Sequence, residues 1–357
     1  MKLSKLFVLG ACSLMMATSC GAEEPAAPYI PPVDPPDPPV TDPVEWEFEE
    51  DGDYYAALIK EIKATQPFEL VIPSEHEGRV VNQVGLASRI FITWHPNNEY
   101  VTSVYFPDSI TRIPYTHGEG LLDSLPNLES VRLSPNCKAV PQAMFDSCPK
   151  LKEVTVPEGV TSINRYAFVR CGIETIHLPT TLDTIGEGCF YLSNIKNIDW
   201  AEDANNSLCI ETKAFECCYE LEEFVMPDYI YTYPQDGTYT NSCWLKDCEN
   251  IKKIRMSGKV GIFRENMLGQ MSRTCALEEL IIPASVIKIE KRCLYFSPSY
   301  FNNIDTVKFE GTKAQWLAIE KDEGYLDYIL GDYKNNSAID KVYCMGDGET
   351  VTLSHVN

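Results

Sequence analysis

Side chains able to do chemistry are plentiful in this sequence, but their spacing fits no familiar reaction. Its five histidines stand at positions 76, 95, 117, 177 and 355. None lies in the H-E-x-x-H pattern that places two zinc ligands and a general base on one helix face. A G-x-S-x-G nucleophile elbow, a phosphate-cradling G-x-x-x-x-G-K loop and a dinucleotide glycine fingerprint are missing from all 357 residues. With 52 acidic residues, two neighbouring carboxylates mean little by themselves. A glycosidase pair needs a set gap across a cleft. Asp51-Gly52-Asp53 and Asp347-Gly348-Glu349 carry calcium-type oxygens but not the spaced set of an EF-hand, so both read as turns. The sequence holds 14 cysteines, yet the only adjacent two are Cys217-Cys218 and no C-x-x-C has a matching histidine. Neither an enzyme nor a resident metal or cofactor is expected.

The elements that would position these residues emerge from a search for internal repeats. An apolar-x-x-apolar-x-apolar phrase recurs as VTSVYFP from Val101, LESVRLSP from Leu128, LKEVTVP from Leu151, IETIHLP from Ile173 and IKNIDW from Ile195. It continues as LEEFVMP from Leu221, IKKIRMS from Ile251, LEELIIP from Leu277 and IDTVKF from Ile304, with an edge copy, FELVIP, from Phe68. From Val101 onward the starts lie 22 to 30 residues apart. Such a phrase puts alternate side chains on one face of a short strand, and the following proline, unable to donate a ladder hydrogen bond, ends it. A second apolar phrase follows as SITRI (109–113), GVTSI (159–163), TLDTI (181–185) and SVIKI (285–289), and reads as a second short strand. Then comes a small-aromatic pair, Met144-Phe145, Ala167-Phe168, Cys189-Phe190 and Ala214-Phe215. No single coil buries its own apolar face, whereas stacked coils share a continuous core. A stack of this kind offers no obvious cleft. His177 falls at an outward strand position and reads as exposed surface.

Cys148, Cys171, Cys218, Cys248 and Cys275 occupy one place in successive copies, two or three residues before the next strand. Their apolar neighbours point to a buried column of free thiols, since free cysteine behaves as a small hydrophobe. Disulfides between coils are the rival, with the off-column Cys209, Cys217 and Cys243 as the candidates.

The copy LKEVTVPEGVTSINRYAFVRC (151–171) resembles, almost position by position, the BspA-like leucine-rich repeat. The terminal phrases GTKAQWLAIE (311–320) and VYCMGDG (342–348) are similar to that family's usual end. The resemblance implies a β-dominated α/β leucine-rich-repeat solenoid over residues 68–310. It would be a right-handed stack of about ten coils with short strands and few short helices, closed by a C-terminal cap at 311–357. With strands about 4.8 Å apart, ten coils extend over roughly 45–50 Å. The family likeness also implies surface adhesion or protein–protein contact, with host matrix or other bacteria as partners.

Ahead of the repeats, Lys2 and Lys5 precede an apolar run from Leu6 to Ala17, too short to span a bilayer and of signal-peptide size. Small residues then lead into Cys20 and resemble a bacterial lipobox, which implies a signal over 1–19 and a lipid on Cys20. The Glu23-Glu24 pair resembles the surface-export tag of Bacteroidetes-type lipoproteins, so an outer-membrane lipoprotein displayed on the cell surface is expected. The lipid would then be its only membrane contact. Residues 25–43 are about half proline and read as a polyproline II stalk, completing a lipidated and Pro-rich segment at 20–43. Residues 44–67 are expected to cap the first coil, with Tyr54 to Lys63 as a short amphipathic helix. A formal charge of −22 argues against nucleic-acid partners. Tyr229, Tyr231, Tyr233 and Tyr239 crowd one insertion and are candidate contacts, because tyrosine gives large contact area at low entropy cost. Trp244 aligns with the core aromatics and is expected to be buried. Tyrosines also stack on sugars, so a glycan-binding part of a nutrient-capture system is the alternative to a protein-binding adhesin. Triplets such as Asp108-Ser109-Ile110 and Asp183-Thr184-Ile185 resemble bacterial O-glycosylation sites, but the second strand phrase generates them by default.

Overall fold

A computed structural model describes residues 42–85, 92, 95–114, 120–200, 207–226, 231–232, 244–264, 268, 277–290, 306–322 and 341–353. The chain divides into residues 1–41 and 42–357, and every described residue belongs to the second unit.

Each recurring phrase becomes a strand. The first phrase supplies β3 (Phe68–Val71), β6 (Val101–Tyr105), β7 (Ser130–Arg132), β9 (Glu153–Thr155), β11 (Thr175–His177) and β13 (Asn197–Asp199). It continues through β15 (Glu223–Val225), β17 (Lys253–Arg255), β19 (Glu279–Ile282) and β21 (Thr306–Phe309). The second phrase gives β8 (Ala139–Val140), β10 (Ser162–Ile163), β12 (Thr184–Ile185), β14 (Ser207–Ile210), β16 (Tyr231–Thr232), β18 (Ile262–Phe263) and β20 (Lys288–Ile289). Pairing between coils is parallel and in step: Val154, Ile176 and Ile198 are register partners in one sheet, as are Val140, Ile163 and Ile185 in the other.

A third line of hydrogen bonds joins the coils where the chain turns. Phe145 N–H donates to Ala167 O, Phe168 to Cys189 and Phe190 to Ala214, each over 2.8 Å. Flanking this line, residues with left-handed backbone recur four apart: Ala143 and Ser147, Tyr166 and Arg170, Gly188 and Leu192, Lys213 and Cys217. The left-handed twist turns N–H groups of this set toward the next coil, as from Tyr166 to Glu187 O and from Leu192 to Glu216 O. Only Gly188 of the eight is a glycine. A Cβ there would lie 2.3 Å from the Tyr166 ring, so the bare backbone makes room for that side chain.

The interior holds the recurring apolar residues. Phe145, Phe168, Phe190 and Phe215 form a stacked column with centroids 5.1, 5.4 and 5.1 Å apart. Trp244 is buried as expected, but it takes the small residue's place rather than the aromatic's. Its carbonyl accepts from Phe215 N–H as that of Ala214 does from Phe190, which leaves Leu245 to continue the column.

Both ends of the stack are closed by hairpins. The expected helix over Tyr54–Lys63 is instead β2 (Tyr54–Ile62), antiparallel to β1 (Val44–Asp51) and joined to it at Gly52, φ 64°. β2 also pairs with β5 (Arg79–Val84), itself paired with the short β4 (Glu75–His76). Ala56, Ala57, Leu58 and Lys60 favour helix locally, but pairing with β5 on one side and β1 on the other outweighs that weak preference. At the other end, α1 (Lys313–Ala318) begins with a Thr312–Gln315 capping box and buries Trp316 edge-on against Phe309. β22 (Glu320–Lys321) extends the second sheet, while β23 (Lys341–Cys344) pairs in parallel with β21. β24 (Glu349–Thr352) folds back on β23 through the Asp347-Gly348 turn, so both Asp-Gly sites are hairpin turns.

Candidate functional site

The cysteine positions converge as the spacing required. Cys148, Cys171, Cys218 and Cys248 are buried free thiols, and buried Ser193 holds the column's place in the intervening coil. Each thiol donates to a carbonyl of the preceding coil: Cys148 to Leu122 at 3.0 Å, Cys171 to Cys148 at 3.4 Å, Cys218 to Phe190 and Cys248 to Phe215 at 3.1 Å. The column therefore satisfies backbone acceptors as well as filling space. Burial pushes Cys171 up to about 12 and Cys137 to about 11, far from the thiolate range that reactivity needs. Cys217 is likewise a free thiol, which removes one disulfide candidate. Cys275 and Cys243 lie outside the described residues, as does Cys20.

Glu216, Cys217 and Asp247 bring three potential metal ligands within 4.8 Å of one another. The Lys246 ammonium already occupies this cluster, 2.5 Å from Glu216 and 3.8 Å from Asp247. Of the tyrosine candidates, Tyr229, Tyr233 and Tyr239 are outside the described residues, and Tyr231 is seen only as backbone in β16 pairing with Ser207.

On the outward face of the first sheet, charges alternate from coil to coil. Glu174 bridges Lys152 at 2.9 Å and Lys196 at 2.8 Å, which holds its carboxyl down at about 2. His177 does point outward, but it is clasped rather than merely exposed. Its Nδ1 lies 2.6 Å from Asp199 and its Nε2 3.0 Å from Glu153, and these bonds, that to Asp199 foremost, raise its pKa.

The alternating rows stop between β13 and β15. First-phrase strands β9, β11 and β13 form one sheet, while β15 begins another with β17, β19, β21, β23 and β24. Among the described residues no backbone hydrogen bond joins β13 to β15. In the opening lies a groove of about 520 Å³, contrary to the expectation that the stack offers no cleft. Its apolar wall is Ile198, Trp200 and Val225, with Trp200 edge-on to Phe224 at 6.2 Å. Lys196, Glu220, Glu222 and Glu223 supply its charge. Lys196 is engaged by Glu174, and Glu222 by Lys252 at 2.7 Å. Glu220 and Glu223 are exposed and form no salt bridge among the described residues, although the Lys196 ammonium feels the Glu220 charge.

Sequence reasoning missed this groove, although one signal pointed to it. The phrase starts at Leu151, Ile173 and Ile195 are 22 residues apart, and the next, Leu221, comes 26 later. Extra chain enters between the coils at this point.

Comparison with known proteins now bears on the whole stack. Residues 118–242 and 230–302 match the BspA type leucine rich repeat region in six copies, more than half of the chain. Among curated proteins none matches this sequence. A leucine-rich repeat protein of Bacteroides ovatus superposes with a TM-score of 0.50 at 15% identity, over 79% of this chain and 66% of the other. The chain thus spans just under two thirds of that protein, and at this identity the likeness speaks for the fold alone. The pneumococcal vaccine antigen PcpA aligns over 86% of this chain and 96% of its own, at 13% identity and TM-score 0.34. A leucine rich cell surface protein of Faecalibacterium prausnitzii aligns over 77% and 98%, at 19% identity and TM-score 0.24. Both superpose too loosely to carry an argument. The repeat match and the stacked parallel coils establish that this chain belongs to the BspA-type leucine-rich repeat family.

Proposed function

We propose that this chain is a lipid-anchored protein of the outer cell surface that binds other proteins and so mediates adhesion, with host matrix or other bacteria as partners. The observation that carries the reading is the outward face of the first sheet. It is a broad, charged surface over a buried core, opened between β13 and β15 into a groove of about 520 Å³ with an apolar wall and two carboxylates that form no salt bridge among the described residues. Aromatic and apolar anchors ringed by polar groups are how protein interfaces gain energy. The reading assigns no catalytic step and needs no cofactor. The export signal, Cys20 and the proline-rich stretch support display at a distance from the membrane.

The test has two parts. Metabolic labelling with a fatty-acid probe is expected to mark the wild type and not Cys20→Ala, with wild-type protein digested by protease added to intact cells. Immobilised matrix proteins and polysaccharides are then offered to the same purified chain. Saturable binding to a protein supports the adhesin reading, and binding confined to polysaccharide replaces it. That second reading, glycan capture, is favoured by one feature, the half-buried Trp200 beside the carboxylates.

A further inference from the structure

We infer that the groove between β13 and β15 is a strand-insertion site for an extended, basic peptide segment of a partner protein. This rests on the protein-binding reading above and names the chemistry of its partner.

The first argument comes from backbone parity. Asn197 N–H donates to Glu174 O, and Asp199 O accepts from Leu178 N–H, so these residues of β13 face β11. In a parallel ladder the intervening residue faces the other way, which turns the N–H and C=O of Ile198 into the groove. On β15, Glu222 O accepts from Lys253 N–H, and Met226 N–H donates to Arg255 O, so the even positions face β17. Glu223 and Val225 therefore present their backbone groups to the groove from the opposite wall. Two open strand edges look at each other across one cavity. An extended chain between them gains main-chain hydrogen bonds on both sides, the mode of recognition in which backbone gives affinity and alternate side chains give specificity.

The second argument is that the opening is confined to the strand face. Behind it, the same coils stay joined. Phe215 N–H donates to Trp244 O at 3.0 Å, Cys217 N–H donates to Lys246 O at 2.8 Å, the Cys248 thiol donates to Phe215 O at 3.1 Å, and β14 pairs with β16. The groove is a wedge with a fixed back, already formed before a partner arrives, and its volume is within the roughly 300–1,000 Å³ of ligand-binding clefts.

Charge selects the occupant. Lysines bridge outward carboxylates such as Glu174 and Glu222, whereas Glu220 and Glu223 line the groove without a salt bridge among the described residues, in a chain of net charge −22. A segment alternating lysine or arginine with apolar residues places its cations on Glu220 and Glu223 and its apolar side chains on Ile198, Trp200 and Val225. An acidic segment meets repulsion, and a neutral one leaves the carboxylates desolvated without a partner.

The test uses the purified chain and a capped hexapeptide alternating Lys and Val, with calorimetry as the readout. The controls are the Glu/Val counterpart and a Lys/Val peptide N-methylated at alternate residues. We expect saturable binding of the Lys/Val peptide, at least tenfold weaker binding of both controls, and about tenfold weakening by the E220Q/E223Q double variant with unchanged thermal stability. Equal binding of the N-methylated peptide overturns the insertion mode. No binding, or equal binding of the Glu/Val peptide, overturns the site, and so does displacement of the peptide by an oligosaccharide. If E220Q/E223Q still binds matrix proteins fully while no peptide binds, the groove inference fails and the adhesin reading stands.

Discussion

Removing one ring from the phenylalanine column tests the architecture most directly. Phe168 is wholly buried and lies between Phe145 at 5.1 Å and Phe190 at 5.4 Å, with interplanar angles of 13° and 4°. Truncating a buried phenylalanine to alanine costs about 3–5 kcal/mol, cavity included. Each lost aromatic pair is worth roughly 0.5–1.5 kcal/mol beyond buried area. With two pairs lost and three lines of inter-coil hydrogen bonds resisting collapse, Phe168→Ala should fall near the upper end, about 4–5 kcal/mol. Phe168→Leu keeps most of the apolar volume and loses only the ring pairs, so roughly 1–3 kcal/mol is expected. Equilibrium urea unfolding reads both, by circular dichroism and by tryptophan fluorescence. Because each coil contacts only its neighbours, stability is a sum over adjacent interfaces, and a cut in the middle can separate the transitions of the two halves. Trp46 and Trp316, near opposite ends, would then report different midpoints. A loss below about 1 kcal/mol for Phe168→Ala would mean that the rings do not form the spine of the stack.

Close approach makes Gly172 a second sensitive point: a Cβ there would sit 1.9 Å from Pro149 O, so Gly172→Ala must spread two coils, and a drop of about 1–3 kcal/mol in thermal or urea unfolding is expected. His177, with its pKa raised by Asp199 and Glu153, contributes stability that is full below the unfolded-state value near 6.5 and is lost as pH rises through the folded value. Stability should therefore decline with rising pH in that window in the wild type and not in His177→Gln, and an identical profile in both would refute the clasp. The thiols of Cys148, Cys171, Cys218 and Cys248 should resist alkylation in the native protein and react when urea unfolds it, as quantified by mass spectrometry. Rapid native labelling of Cys171 would contradict its burial.

What could be read from the residues alone was whatever repeats with a fixed period. Phe145, Phe168 and Phe190 recur beside a small residue, and a ring of that size at a constant offset in stacked coils has nowhere to go but the shared interior. Cys148, Cys171, Cys218 and Cys248 were legible for the same reason. The left-handed turn positions were not. Ala143, Tyr166, Arg170 and Leu192 are ordinary L-residues whose twist costs about 1–2 kcal/mol each, and the inter-coil hydrogen bonds made by their N–H groups explain it. Tyr54–Ile62 misled because its alanines, leucine and lysine carry a helical preference, while its β5 partners, as in Tyr55 with Val81 and Ala57 with Val84, lie far along the chain. The groove was harder still. Glu220, Glu223 and Trp200 look like ordinary outward and core positions, and the only trace of the opening is four extra residues between Ile195 and Leu221.

Why the strand face opened, and not the core, follows from the relative strength of what holds the coils. A few backbone hydrogen bonds between three-residue strands contribute about 0.5–1.5 kcal/mol net apiece. At an exposed edge, water replaces much of that. Separating the same coils at the back would expose Phe215, Cys218, Leu245 and Cys248, all buried, at about 1.5–3 kcal/mol for each large side chain. When extra chain enters one coil, the mismatch therefore appears first along the line of least resistance, the outward ladder. Regular repeats build a rigid support whose face is largely saturated, with strand edges paired and lysines matched by glutamates as around Glu174. Between β13 and β15 the irregular spacing leaves the main-chain groups of Ile198, Glu223 and Val225 unbonded and two carboxylates outside any salt bridge among the described residues, beside an apolar wall and over a back that stays joined. The capacity to bind thus arises where a coil departs from the repeat, supported by neighbours that obey it.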